Sequence, residues 1–190
     1  MKKLLSTLLL AAAMLLANNG AQAQKFIIEP DGVGPVRHGV YVNTLPAVVE
    51  GLYDSRQMLE EYNEMDDEFN YLCYFMLNGD ARIIANLNED GMVCYVLTSG
   101  SDIRSKSGAY DPMPARDFIV LPGITTKVNP DMDYFQIRFE IDGLDVLIDY
   151  YSFSAQGQKK YDAALRSGVA PKFVPEDFAP EAFIMINREY

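Results

Sequence analysis

Between residues 134 and 153, apolar and polar residues alternate on both sides of an Asp142-Gly143 pair. A period of two marks a strand with one buried face. Asp-Gly supplies the positive-φ residues of a type I′ turn, whose twist matches that of paired strands. A two-residue turn also fixes the register. Ile141 then faces Leu144, Phe139 faces Val146, Ile137 faces Ile148 and Phe135 faces Tyr150. All eight fall on one face, which is predicted to be buried, because a slip of one residue would turn the whole set to water. The opposite face carries Tyr134, Gln136, Arg138, Glu140, Asp145, Leu147, Asp149 and Tyr151, with Arg138 set diagonally between Asp145 and Asp149.

Asn78-Gly79 and Asp90-Gly91 repeat the signal, and predict a three-stranded meander over residues 69–77, 80–87 and 92–99. The same register arithmetic sets Met76 against Ala81, Tyr74 against Ile83 and Leu72 against Ala85 on an apolar face. It leaves Tyr71, Cys73, Phe75, Leu77, Asp80, Arg82, Ile84 and Asn86 on the other face, which is rich in aromatic residues for a surface. Cys73 and Cys94 are the only cysteines. An even count in an exported chain suggests a disulfide. The meander argues against one, since a strand lies between the two. Next-but-one strands are roughly 9–10 Å apart, and a disulfide needs Cα atoms within about 7 Å. Two free thiols are therefore expected.

The N-terminus has the three parts of a secretory signal. Lys2 and Lys3 precede an apolar run over residues 4–17, then polar Asn18, Asn19 and Gly20, then Ala21-Gln22-Ala23. The run is shorter than the roughly 20 apolar residues that cross a bilayer. Cleavage near Ala23-Gln24 and a periplasmic or secreted destination are expected. Removing 23 of the 190 residues leaves 167, a normal size for one domain. Losing Lys2 and Lys3 moves the net charge from −11 to −13. Such a surface repels phosphate backbones, so nucleic acid is a poor partner, and no later segment reads as an integral membrane span.

Helices are fewer. Residues 45–52 predict a short one capped by Asn43 or Thr44. Residues 60–68 read as helix or as a charged loop. Residues 112–121 predict a second short helix, and 156–166 a surface helix with Ser154 as cap and Gly168 as stop. Pro171, Pro175 and Pro180 mark an extended tail, and residues 183–188 predict a last strand. The fold class is thus α+β: an antiparallel curved sheet with short helices packed on one face.

Two stretches echo each other at an offset of 76, residues 35–46 and 111–122, each closing on Leu-Pro and each preceding turn-linked strands. This divides residues 24–190 into candidate halves, 32–107 and 108–190. The arrangement resembles the β-lactamase-inhibitor-protein-like family. The opening Gly32-Val33-Gly34-Pro35 with Gly39 is similar to the start of small exported proteins of Bacteroidetes-type bacteria. The resemblance implies an exported domain whose tandem helix-plus-strands halves share one curved sheet. It implies no single activity.

Residues able to do chemistry are scarce. His38 is the only histidine, so a triad or a zinc site would have to rest on it. Ser99-Gly100-Ser101-Asp102 is not a nucleophile elbow. Glu60, Glu61, Glu64, Asp66, Asp67 and Glu68 lack the alternation and glycine of the best-known calcium loops, so they read as a solvated face. No cofactor, metal site or catalytic residue is predicted. Tyr71, Phe75, Arg82, Tyr134, Arg138 and Tyr151 are the candidate binding residues. They would share one face if both hairpins join one sheet, and Tyr and Arg are enriched at binding hot spots. The expectation is a non-catalytic exported binding protein with a protein or envelope partner. The alternative is a hydrolase acting on cell-envelope or glycan material.

Overall fold

The computed structural model describes residues 26–63, 68–129 and 136–187. Strands β1 (Ile28–Glu29), β2 (Gly32–Val33) and β3 (Val36–Arg37) form a small antiparallel sheet. A four-stranded meander follows: β4 (Ser55–Asn63), β5 (Glu68–Leu77), β6 (Asp80–Leu87) and β7 (Val93–Thr98), each paired with the next. The second half holds a short helix α1 (Ala115–Phe118) and strands β8 (Thr125–Asn129), β9 (Gln136–Ile141) and β10 (Leu144–Leu147). Helix α2 (Ala155–Ser167) and strand β11 (Met185–Asn187) complete it. The order β8-β9-β10-β11 makes a second four-stranded antiparallel sheet. The α+β class and the antiparallel pairing are as expected. The two hairpins do not join one sheet, because each meander closes its own set of hydrogen bonds.

The Asp142-Gly143 hairpin has the expected register, with Ile141 opposite Leu144 and Phe139 opposite Val146. Asp142 and Gly143 both have positive φ, at 53° and 79°. Ile137, Phe139, Ile141, Leu144, Val146 and Ile148 are all buried. Strand β10 ends at Leu147, and a 3₁₀ turn over Tyr150–Ser152 replaces the rest of the expected strand. The Asp149 carboxylate starts that turn by accepting from the Tyr151 N–H. Tyr134 and Phe135 lie outside the described residues.

Asn78-Gly79 also forms its two-residue turn, but the register slips beyond it. Met76 faces Ala81, whereas Phe75 faces Ile83, so Arg82 is an extra residue: a β-bulge. A second bulge leaves Cys94 unpaired between the Val93–Leu87 and Tyr95–Asn86 pairs. Asp90-Gly91 closes a longer turn instead of a two-residue one. There the Asn88 side chain accepts from the N–H groups of Asp90 and Met92. Both cysteines are free, as the intervening β6 dictates.

The helix expected over residues 45–52 is absent. A 3₁₀ turn at Val42–Thr44 leads instead to a bridge between Val49 and Tyr53, with Gly51 at positive φ. Where it is described, the acidic stretch expected as helix or loop is strand, since β4 runs to Asn63 and β5 starts at Glu68; residues 64–67 lie outside the described set. Helix α1 is only four residues of the expected ten. Helix α2 matches its prediction: Ser154 accepts from the Gly157 N–H, and Gly168 ends the helix in the left-handed region.

Gly157 shows what holds α2 down. A Cβ there would lie 1.9 Å from the Asp177 carbonyl oxygen, so only glycine lets the two backbones approach. Asp177 is fully buried. Its carboxylate accepts from Lys160 Nζ at 2.6 Å and from the Val174 N–H at 2.9 Å, which answers its desolvation. The buried residues form one cluster that draws on both meanders, α1 and α2. Among the described residues, no helix is long and apolar enough to cross a membrane.

Candidate functional site

The bulge at Arg82 decides which side of the first meander meets water. Below it, Cys73, Phe75, Ile83, Ala85, Leu87, Val93 and Val96 turn inward and are buried. The opposite face is laid out in rows by the register. Leu59 stands beside Leu72, Asn86 and Tyr95; Gln57 stands beside Tyr74, Ile84 and Leu97; Ser55 stands beside Met76 and Ala81. Leu59, Leu72, Tyr74, Met76, Ile84, Tyr95 and Leu97 are each half-buried, and none belongs to the buried cluster or packs against it. A four-stranded sheet thus presents seven apolar side chains on its outer face. The usual antiparallel sheet with one solvated face carries polar residues there.

The five expected binding residues that are described are not brought together. Phe75 is 0% exposed and packs tilted against Tyr53, with ring centroids 4.8 Å apart. The bulge moves it to the inner face, so it is a core residue and not a surface one. Tyr71 is half-buried and packs against the core from that same inner face. Arg82 is the bulged residue. Its guanidinium leaves the sheet to bond the Ser99 carbonyl at 3.2 Å and the Asp102 carboxylate. That bond holds Asp102 below the ordinary carboxylate range. Arg138 and Tyr151 belong to the second half. Arg138 pairs with Asp145 at 3.4 Å, the diagonal expected, and Tyr151 is 84% exposed on the 3₁₀ turn after β10. Tyr134 lies outside the described residues.

The outer-face residues were missed for a physical reason. Leu72, Tyr74 and Met76 alternate correctly, but without a bulge they are assigned to the core. A signal was present: Ile83 and Ile84 are adjacent, so one of them must face out whichever register holds.

Other chemistry is sparse. His38 is exposed, on the turn after β3. Among the described residues, no group of three or more His, Cys, Asp or Glu is placed to hold a metal ion. A groove of about 270 Å³ opens beside the inner face of β4, lined by Val42, Asn43, Arg56, Met58, Asp90 and Gly91. A wider one of about 450 Å³ lies at the far end of β5 and β6, beside Phe69, Tyr71, Asn86 and Glu89. No family model, no curated protein and no solved structure matches this chain.

Proposed function

We propose that this is an exported, non-catalytic binding protein, and that its contact surface is the outer face of the first meander. The observation that carries the reading is the block of seven half-buried apolar side chains standing apart from the core. Contiguous exposed apolar surface marks an interaction site more often than it marks accident. Tyr74 and Tyr95 give this surface rigid area with a polar tip, the combination favoured at binding hot spots. The apolar patch sits on a strongly acidic chain. A protein or envelope partner with an apolar centre and a basic rim fits it, and a phosphate backbone does not. The signal-like N-terminus and the resemblance to β-lactamase-inhibitor-protein-like domains support a place outside the cytoplasm, with residues 1–23 removed.

The test is site-specific photocrosslinking in envelope extract. A crosslinker in place of Tyr74 should give a discrete adduct, and one in place of Tyr151 should not. Ile84→Lys should abolish the adduct while leaving the thermal melting temperature unchanged within about 2 °C. Equal labelling from both positions, or an adduct indifferent to Ile84→Lys, would show that the face is not the contact surface.

A further inference from the structure

The first meander has two edges, and they are treated differently. The β7 edge is covered: Gly39 and Val40 exchange backbone hydrogen bonds with Val93, and Tyr41 bridges Met92. The β4 edge has no strand partner among the described residues other than β5. It is nine residues long, and its pairing with β5 shows no bulge. It contains neither proline nor lysine. Proline, charged side chains and bulges are the devices by which edge strands discourage pairing, and of these β4 has only the charges of Arg56, Glu60 and Glu61. Met58 and Tyr62 are more than half exposed along it.

We infer that β4 pairs antiparallel with β4 of a second copy, about a two-fold axis through Met58. The strand is complementary in charge to itself. In a two-fold antiparallel pair that keeps both outer faces on the same side, residues i and j face each other when they lie equally far from the axis. An axis at Met58 sets Arg56 against Glu60 of the second copy, and by symmetry Glu60 against that copy's Arg56. Gln57 meets Leu59, Ser55 meets Glu61, and Met58 meets itself. Other registers lose this match. An axis at Gln57 sets Asp54 against Glu60, and one at Glu60 sets Glu60 against itself. An axis at Leu59 leaves Met58 against Glu60 and pairs no opposite charges. Opposite charges directly across a strand pair favour it, and like charges oppose it. Arg56 Nη1 is already engaged within its own chain, donating to the Val42 carbonyl at 2.7 Å, so pairing with Glu60 of the second copy falls to the other guanidinium nitrogens.

The product is a continuous eight-stranded sheet with two outer faces side by side on one surface. It does not depend on the binding role of that face. An edge pair alone buries little area for an interface, so the dimer dissociates on dilution.

Sedimentation equilibrium on the protein purified as secreted should show a monomer–dimer equilibrium. Glu60→Arg should weaken it at least about tenfold, by setting two pairs of arginines face to face. Adding Arg56→Glu should restore it. Because Arg56 also holds Val42, a second measurement covers failure of that variant to fold. Under mild oxidation Met58→Cys should crosslink to a disulfide dimer, and Leu59→Cys and the wild type should not. A monomer at every concentration up to about 1 mM overturns the inference. So does a dimer that ignores Glu60→Arg and does not link through position 58. Either failure leaves the Tyr74 crosslinking result, and so the binding reading, untouched.

Discussion

Cys73 and Cys94 lie two strands apart and differ in kind. Cys73 is fully buried between Ala85 and Met58 in the strand order, and burial pushes its thiol up to about 11. Cys94 is half-buried at the bulge of β7, with its Sγ 3.7 Å from the Met92 carbonyl. A thiol whose folded value lies above its unfolded value stays neutral in the native state while the unfolded chain ionises. Its contribution is complete below the ordinary thiol value of 9.0 and is lost as pH rises to about 11. By pH 11, where the folded thiol is itself half ionised, the loss amounts to about 2 kcal/mol of the roughly 2.8 that two units at about 1.4 kcal/mol each would give. Urea titrations of wild type and Cys73→Ala at pH 8 and pH 11 isolate it. The wild type should lose about 2 kcal/mol more than the variant across that interval, whereas equal losses would show that Cys73 is not the group responsible. Tyr53 and Tyr161 are also pushed up by burial, so only the difference between the two proteins reports on the thiol.

At the scale of elements, the bulge at Arg82 makes an unequivocal prediction. With Phe75 on the inner face, Phe75→Ala removes a fully buried ring packed against Tyr53 and should cost about 3–5 kcal/mol. Met76→Lys, one residue on, puts a charge on the outer face and should change stability by about 0.5 kcal/mol or less. A ladder without the bulge reverses the order of these two effects, so a pair of urea midpoints decides between them. The Asp142-Gly143 hairpin and α2 were legible because local chemistry specified each completely: a type I′ turn with clean alternation, and a Ser154 cap with a Gly168 stop. The strand β4 was not legible. Its run Arg56-Gln57-Met58-Leu59-Glu60-Glu61 lacks alternation because an edge strand overhanging the core need not bury one side. Bulges are set by what the extra residue finds to bond, here Ser99 and Asp102, and those partners are distant in sequence. The outer face followed the bulge, so the candidate site was misplaced for the same reason.

At the scale of the whole molecule, the two meanders do not share a sheet, so something else must bind the halves. The connections run through residues 99–115. Gly100 donates its N–H to the Asp111 carbonyl, and the Asp111 carboxylate accepts from the Ile186 N–H in β11. The Asp142 carboxylate at the β9–β10 turn accepts from the Ser107 N–H and hydroxyl. The Met113 carbonyl accepts from the Ile184 N–H, and Ala115 donates to Ala182. Ile103, Ala109 and Met113 carry the buried cluster through the same segment, so apolar packing and hydrogen bonding cross the boundary together. Unfolding either meander strips hydrogen bonds or buried neighbours from residues 99–115, on which the other also rests, which predicts one cooperative transition. Phe75→Ala in the first meander and Phe139→Ala in the second each remove a side chain of 0% exposure. Followed by circular dichroism and by tyrosine fluorescence, and at dilution so that association does not contribute, each variant should lower a single common midpoint. A second transition in either one, with half of the chain still folded, would mean that residues 99–115 only tether the halves and that the core is two cores in contact.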